Sequence, residues 1–199
     1  RTASSDPATV EQLTTYLTTT LGSAQQIRFE RVGPTIGRDL TLKAILGVGV
    51  ASLGIILYIA WAFRRVPAPA SSWRFGITAI AALVHDLVIT VGAFALLGVI
   101  YGYEVDSLFI TALLTVMGFS VHDTIVTYDR IRENLIQHPT RAFETTVNES
   151  IRQTVVRSLN TSLTLILVLL SLLILGGYSI RPFIAALTIG VTVGTYSSI

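Results

Sequence analysis

Residues 118–134 read GFSVHDTIVTYDRIREN, and the change of character inside this stretch decides the fold. Its first part closes a run, 107–122, that contains no Lys, Arg, Asp or Glu; its second part carries Asp129, Arg130, Arg132 and Glu133. A long uncharged run that gives way abruptly to a basic cluster is the end of a membrane span. The pattern recurs outward in both directions, with uncharged runs at 44–63, 87–103, 158–180 and 182–199. A bilayer core takes about 20 apolar residues per helix, and no single soluble core of a 199-residue chain hides five such runs.

Composition agrees. Charged residues make up 13% of the chain, against about 25% in an average soluble domain, and the mean hydropathy is +0.67. This excludes a soluble globular enzyme and a disordered chain. A net charge of +2 is too small to argue for nucleic acid. The absence of cysteine excludes disulfides, thiolate metal sites and a Cys nucleophile. No His/Asp/Glu pair repeats at metal-ligand spacing, so no metal or cofactor is expected, and no catalytic constellation points to an enzyme.

The expected fold is an all-α membrane helical bundle of five spans, at about Leu40–Phe63, Phe75–Ile100, Ser107–Tyr128, Thr154–Leu175 and Ile180–Ile199. Basic residues mark the cytoplasmic side. Arg64, Arg65 and Arg74 follow the first span, and Arg130, Arg132, Arg141 and Arg152 lie in the loop 129–153; the opposite connections hold only Arg181, with Glu104 and Asp106. Residues 1–39 are therefore expected outside and the loop 129–153 inside. Tyr58, Trp61, Trp73 and Tyr128 at the inner ends, and Tyr101, Tyr103 and Tyr178 at the outer ends, form the expected aromatic belts. Within the loop, Pro139 breaks the chain, Thr140 is placed to cap a helix, and Phe143, Val147 and Ile151 fall at i, i+4, i+8. An interfacial amphipathic helix and a solvated linker helix are equally good readings of that segment.

Residues 1–39 are polar. Asp6-Pro7 suits a helix start; Val10, Leu13, Leu17 and Leu21 repeat at helical spacing up to Gly22; 25–32 alternates like a short strand. One helix and one strand bury no core alone. They are expected to be the α+β tail of a larger exported domain, in a chain that begins at Arg1 and is a piece of something longer.

An ionisable group at membrane depth costs roughly 2.5–3.5 kcal/mol on insertion scales and is a functional candidate by default. His85, Asp86, His122 and Asp123 qualify, and Arg157 opens the fourth span. Counted from the outer ends at about 1.5 Å per residue, Asp86, Asp123 and Arg157 lie roughly 22, 24 and 28 Å deep, within about one turn of each other. Ser120, Asp123, Thr124 and Thr127 share one helix face; Arg157, Asn160, Thr161 and Thr164 repeat that spacing on the next span. The two stripes are expected to face each other and to pair Asp123 with Arg157. Loss of the pair on protonation would let the helices re-pack. A structural hydrogen-bonded pair is as good a reading of His85–Asp86 as a relay, and a satisfied core residue is the better reading of His122. Ala186, Gly190, Gly194 and Ser198 recur every fourth residue in the last span, a stripe that lets helices pack closely.

These residues carry a resemblance. RFERVGPTIGRDL (28–40), ALVHDLVITVGAFAL (82–96), GFSVHDTIVTYDRIREN (118–134), and VNESIRQTVVRSLNTSLT (147–164) with IGVTVGTYSSI (189–199) resemble the SecF subunits of bacterial protein export. Asp39 stands where that family more often has Glu. The resemblance implies six spans with a periplasmic domain between the first two, of which this chain lacks the first span and most of that domain. It implies half of a resistance-nodulation-division transporter fold, with SecD as the other half, fused or separate, in the bacterial cytoplasmic membrane. The implied partners are the SecYEG channel and the exported preprotein, and protons are the coupling ion. By the same resemblance Asp123 is the proton-transferring aspartate and Arg157 completes its site. The proton-relay set expected on these grounds is Asp123, Arg157, Asp86, His85, His122, Asn160, Thr161 and Thr124. Half of a proton-coupled small-molecule or lipid transporter, and a passive scaffold, are the competing readings.

Overall fold

The computed structural model describes residues 7–21, 34–64, 67 and 70–198. The described residues are helical: α1 (Pro7–Leu21), α2 (Pro34–Ala62), α3 (Ser72–Tyr101), α4 (Ser107–Gln137), α5 (Phe143–Leu175), a 3₁₀ turn Tyr178–Ile180, and α6 (Arg181–Ser197). The chain divides into two units, Arg1–Thr41 and Leu42–Ile199.

In the first unit, α1 starts at Pro7, whose missing N–H costs nothing in a first turn. Its threonines satisfy themselves: Thr15, Thr18, Thr19 and Thr20 each donate to the carbonyl four residues back at 2.6–2.8 Å. The expected Asp6 cap, the Gly22 stop and the strand at 25–32 lie outside the described residues, so the fold stated here is the helical part alone.

The second unit is a bundle organised around its shortest long helix. α6 packs against α3, α4 and α5, and α4 packs in turn on α3 and α5. At the end of the bundle where α3 turns into α4, Phe94 stacks on Phe109, with ring centroids 4.1 Å apart, next to a core that includes Ala112, Val116, Ile184 and Ala186. α2 joins through side chains. Val48, Ala51 and Ile55 meet Leu83, Met117 and Val121, and Ile59 and Phe63 join Phe75, Ala79, Ile131 and Leu135. Tyr128 stacks on Phe75 and shares a 2.6 Å hydrogen bond with Thr78.

The polarity is that of a protein dissolved in lipid. Leu46, Val50, Leu57, Val88, Leu96, Val99, Leu167 and Leu175 are exposed, while Asp86, Thr90, Ser120, Asp123, Thr127, Asn134, Ser150, Thr154, Ser158 and Ser162 are buried. Among the described residues four helical stretches, Leu42–Ala62, Ser72–Tyr101, Ser107–Gln137 and Phe143–Leu175, are long and apolar enough to cross a membrane. Five were expected. The expected fifth, α6, is 17 residues long over the described residues.

Two boundaries also differ from expectation. The segment 129–153 is mostly continuous helix: α4 runs to Gln137 and α5 starts at Phe143. Short ion pairs, Arg130–Glu133 and Arg132–Asp129, carry α4 past the apolar run. Thr140 does not cap α5; the cap position is Ala142, without a side-chain bond. Elsewhere the ends are built as their residues suggest. Asp106 caps α4 by accepting from the Phe109 N–H at 2.9 Å, and α3 ends at Gly102 with φ 70°, its N–H donating to the Gly98 carbonyl.

Candidate functional site

The two stripes expected to face each other are separated. On α4, Ser120, Asp123, Thr124 and Thr127 are buried as a group. On α5, Arg157, Asn160, Thr161 and Thr164 are exposed, and the buried face is instead Thr146, Ser150, Thr154, Ser158 and Ser162. No ion pair within 4 Å joins Asp123 to Arg157 among the described residues. The reason is size and self-sufficiency. Ser150 and Thr154 donate to carbonyls four residues back, at 2.7 and 3.0 Å, so hydroxyl side chains tolerate burial and let α5 approach closely. A guanidinium with five donors does neither.

Asp123 is 4% exposed, and its Oδ2 is buried with no hydrogen-bond partner. The Ser158 hydroxyl of α5 stands against its carboxyl group, and His122, beside it in the chain, is exposed. Thr124 donates to the Ser120 carbonyl at 3.1 Å. A buried carboxylate oxygen left without a donor is costly as an anion. It is a group that can take a proton.

Arg157 lies lower, in a groove of about 720 Å³ between α2, α4 and α5, with Tyr58, Trp61, Val126, Asp129 and Thr154 among its walls. Thr161 donates to the Arg157 carbonyl at 3.0 Å and Thr164 to the Asn160 carbonyl at 2.8 Å. The outward stripe therefore keeps its hydroxyls paired while offering one cation and one amide outward. At the wall of the groove, Asn134 donates to Ser150 at 2.8 Å and to Gln153 at 3.1 Å, and Arg130 donates to Gln153 at 2.5 Å. These bonds tie α4 to α5.

His85 and Asp86 form a second centre. Asp86 is fully buried; its Oδ1 lies 3.0 Å from His85 Nδ1, and its Oδ2 accepts from Ser120 at 2.5 Å and Ser197 at 2.8 Å. Ser197 as a partner was not foreseen. A hydroxyl 111 residues away leaves no local pattern to read. Ser158 and the Ser162–Thr195 bond of 2.6 Å were missed too, although the four-residue spacing of serine and threonine on α5 was there to find them.

On α6, Ala186, Gly190, Gly194 and Ser198 are all buried. A Cβ on Gly190 would stand 2.2 Å from Val116 Cγ2, and one on Gly194 would stand 3.2 Å from Ser120 Cβ. A Cβ on Gly47 would meet nothing within 4 Å, so that glycine takes no part in such contact. Among the described residues no group of three His, Cys, Asp or Glu side chains gathers to hold a metal.

Comparison with known proteins gives the family. Residues 12–199 match the family described as protein export membrane protein SecD/SecF, C-terminal. The chain is 50% identical to the protein translocase subunit SecF of Thermobaculum terrenum over 98% of its own length and 60% of that protein. It is 38% identical to the protein translocase subunit SecDF of Bacillus subtilis over 98% of its length and 25% of that chain. It thus spans little more than half of the SecF relatives it matches. The crystal structure of SecDF from Thermus thermophilus, a translocon-associated membrane protein, superposes with a TM-score of 0.81 at 39% identity, covering 98% of this chain and 25% of that one. SecDF in its super-membrane-facing form gives 0.70 at 35% identity over 97% and 24%. The chain belongs to the SecD/SecF family of protein export membrane proteins.

Proposed function

We propose that this chain is the membrane portion of a SecF-type translocase subunit that uses the proton motive force to assist preprotein export, with Asp123 as the proton-carrying group. The observation that carries the reading is the buried, donor-less Oδ2 of Asp123 on a helix that an apolar bundle encloses. Ionised, that oxygen needs a partner; protonated, it does not. Each change of state therefore alters what α4 prefers to touch. Ser158 and Thr124 line its immediate surroundings. Arg157, Asn160 and Thr161 belong to the same unit in a different way. Exposed on this chain at membrane depth, they call for a polar, acid-bearing surface in the SecD half, to which Arg157 would be the counter-charge.

In this reading the chain sits in the bacterial cytoplasmic membrane with residues 1–39 on the periplasmic side and the α4–α5 hairpin inside. α6 serves as a fifth, core-enclosed span. SecYEG and the emerging preprotein are its working partners, and the proton is the coupling ion. The SecF and SecDF names of its relatives favour export over small-molecule or lipid transport.

The test is Asp123→Asn in the full SecD–SecF complex, assayed in membrane vesicles with and without an imposed proton gradient. The variant is expected to assemble and to lose the gradient-driven part of export, and Arg157→Ala to do the same. Gradient-stimulated export that survives in Asp123→Asn would refute the relay.

A further inference from the structure

Asp86 of α3 and Asp123 of α4 lie on neighbouring helices, and their surroundings are opposite. Asp123 leaves one buried oxygen without a donor. Asp86, wholly buried, has partners on both oxygens: Ser120 of α4 and Ser197 of α6 donate to Oδ2, and His85 Nδ1 of its own helix lies 3.0 Å from Oδ1. Its backbone carbonyl also accepts from Thr90 at 2.7 Å. Gly194 completes the junction, since a Cβ there would stand 3.5 Å from Asp86 Oδ2 and 3.2 Å from Ser120 Cβ. Three helices therefore meet on one carboxylate, with a residue without a side chain packed at the junction.

We infer that Asp86 is a positioning residue rather than a proton carrier: it clasps α4 and α6 to α3 and thereby sets the rotation of α4 that turns Asp123 toward α5. Ser120 and Asp123 are three residues apart on one helix face, so the bond that holds Ser120 also holds the bearing of Asp123. A proton arriving on Oδ2 would compete with two hydroxyls that each bridge to another helix. The saturation that makes Asp86 a good clasp makes it a poor relay. Among the described residues His85 is the one titratable side chain bonded to it, and His85, 45% exposed, lines a groove of about 750 Å³ with Ser197, Thr195 and Tyr196. The functional consequence rests on the Asp123 relay; the clasp itself does not.

The experiment exploits a chemical difference between the two roles. An amide oxygen accepts from both hydroxyls as a carboxylate does, but an amide does not carry a proton. Asp86→Asn in the full complex is expected to keep thermal stability, and to keep gradient-driven export within about twofold of the parent, because the acceptor is retained. Asp86→Ala, and Ser120→Ala with Ser197→Ala, are expected to lower gradient-driven export about tenfold and to lower the melting temperature, because buried polar groups lose their partners. If Asp86→Ala does not assemble, the single serine variants each remove one strand of the clasp and carry the test. A lipid-soluble carbodiimide, which modifies protonated carboxyls, is expected to label Asp123 and leave Asp86 unlabelled. In Asp86→Ala the pH profile of Asp123 labelling is expected to move, and in Asp86→Asn to stay. Loss of gradient-driven export in Asp86→Asn with stability intact, carbodiimide on Asp86, or parent-like stability in Asp86→Ala and the double serine variant would each overturn the inference. Should Asp123→Asn retain coupled export, the relay fails while the stability comparison still decides the clasp.

Discussion

Gly190→Ala should loosen the centre of the bundle more than any other added methyl on the stripe of α6. The new Cβ would lie 2.2 Å from Val116 Cγ2, 2.7 Å from Cγ1 and 3.0 Å from Cβ. Ordinary carbon contacts fall near 3.5–4.0 Å, so an ångström or more must be found. Turning the valine does not supply it, because both methyls and the Cβ crowd the same point; α4 and α6 must move apart. Overpacking of this kind costs about 1–3 kcal/mol, offset by up to about 1 kcal/mol from replacing a helical glycine. Gly47→Ala, where the space is open, carries only the second effect and is the control. Thermal unfolding of the purified SecD–SecF complex in detergent should show Gly190→Ala below the parent and Gly47→Ala at or above it. Val116→Ala in the Gly190→Ala background should recover part of the loss, with a coupling of about 0.5–3 kcal/mol. A Gly190→Ala complex as stable as the parent, or one that Val116→Ala does not help, would show that α4 and α6 do not meet at this contact.

The remaining predictions are narrower. Asn134→Ala removes a buried donor that serves Ser150 and Gln153 and should destabilise the α4–α5 hairpin by about 1–3 kcal/mol, seen as faster hydrogen exchange at 130–137 with the membrane core unchanged. Gly102→Ala forces a methyl into a left-handed position, φ 70°, and should cost about 1–2 kcal/mol in the same unfolding assay, where Gly92→Ala, with open space, should not.

What could be read from the residues, and what could not, follows from the range of each interaction. The uncharged runs place four membrane-crossing helices well, because hydropathy is a property of the segment itself. They miss how far α4 continues past its apolar run: Asp129, Arg130, Arg132 and Glu133 end that run yet continue the helix through i, i+3 pairs, whereas the helix from Phe143 was legible in the spacing of Phe143, Val147 and Ile151. Burial of Asp123 was legible from its cost in lipid. The orientation of α5 was not. A stripe with an arginine looks like the partner of a buried aspartate, but the bundle chooses the smaller hydroxyls at 150, 154, 158 and 162, which pack closer and pair with their own helix. The three-helix junction on Asp86 joins residues 34 and 111 positions apart, and no periodicity encodes it.

The central claim is that the Asp123 carboxyl takes up and releases the coupling proton. Infrared difference spectroscopy on the SecD–SecF complex in oriented membranes reads this directly, through the carbonyl stretch of a protonated acid under an imposed proton gradient. The expected result is a band that rises and falls with the gradient, is absent in Asp123→Asn, and persists with reduced stability of the complex in Gly190→Ala. A gradient-dependent carboxyl band undiminished in Asp123→Asn would contradict it.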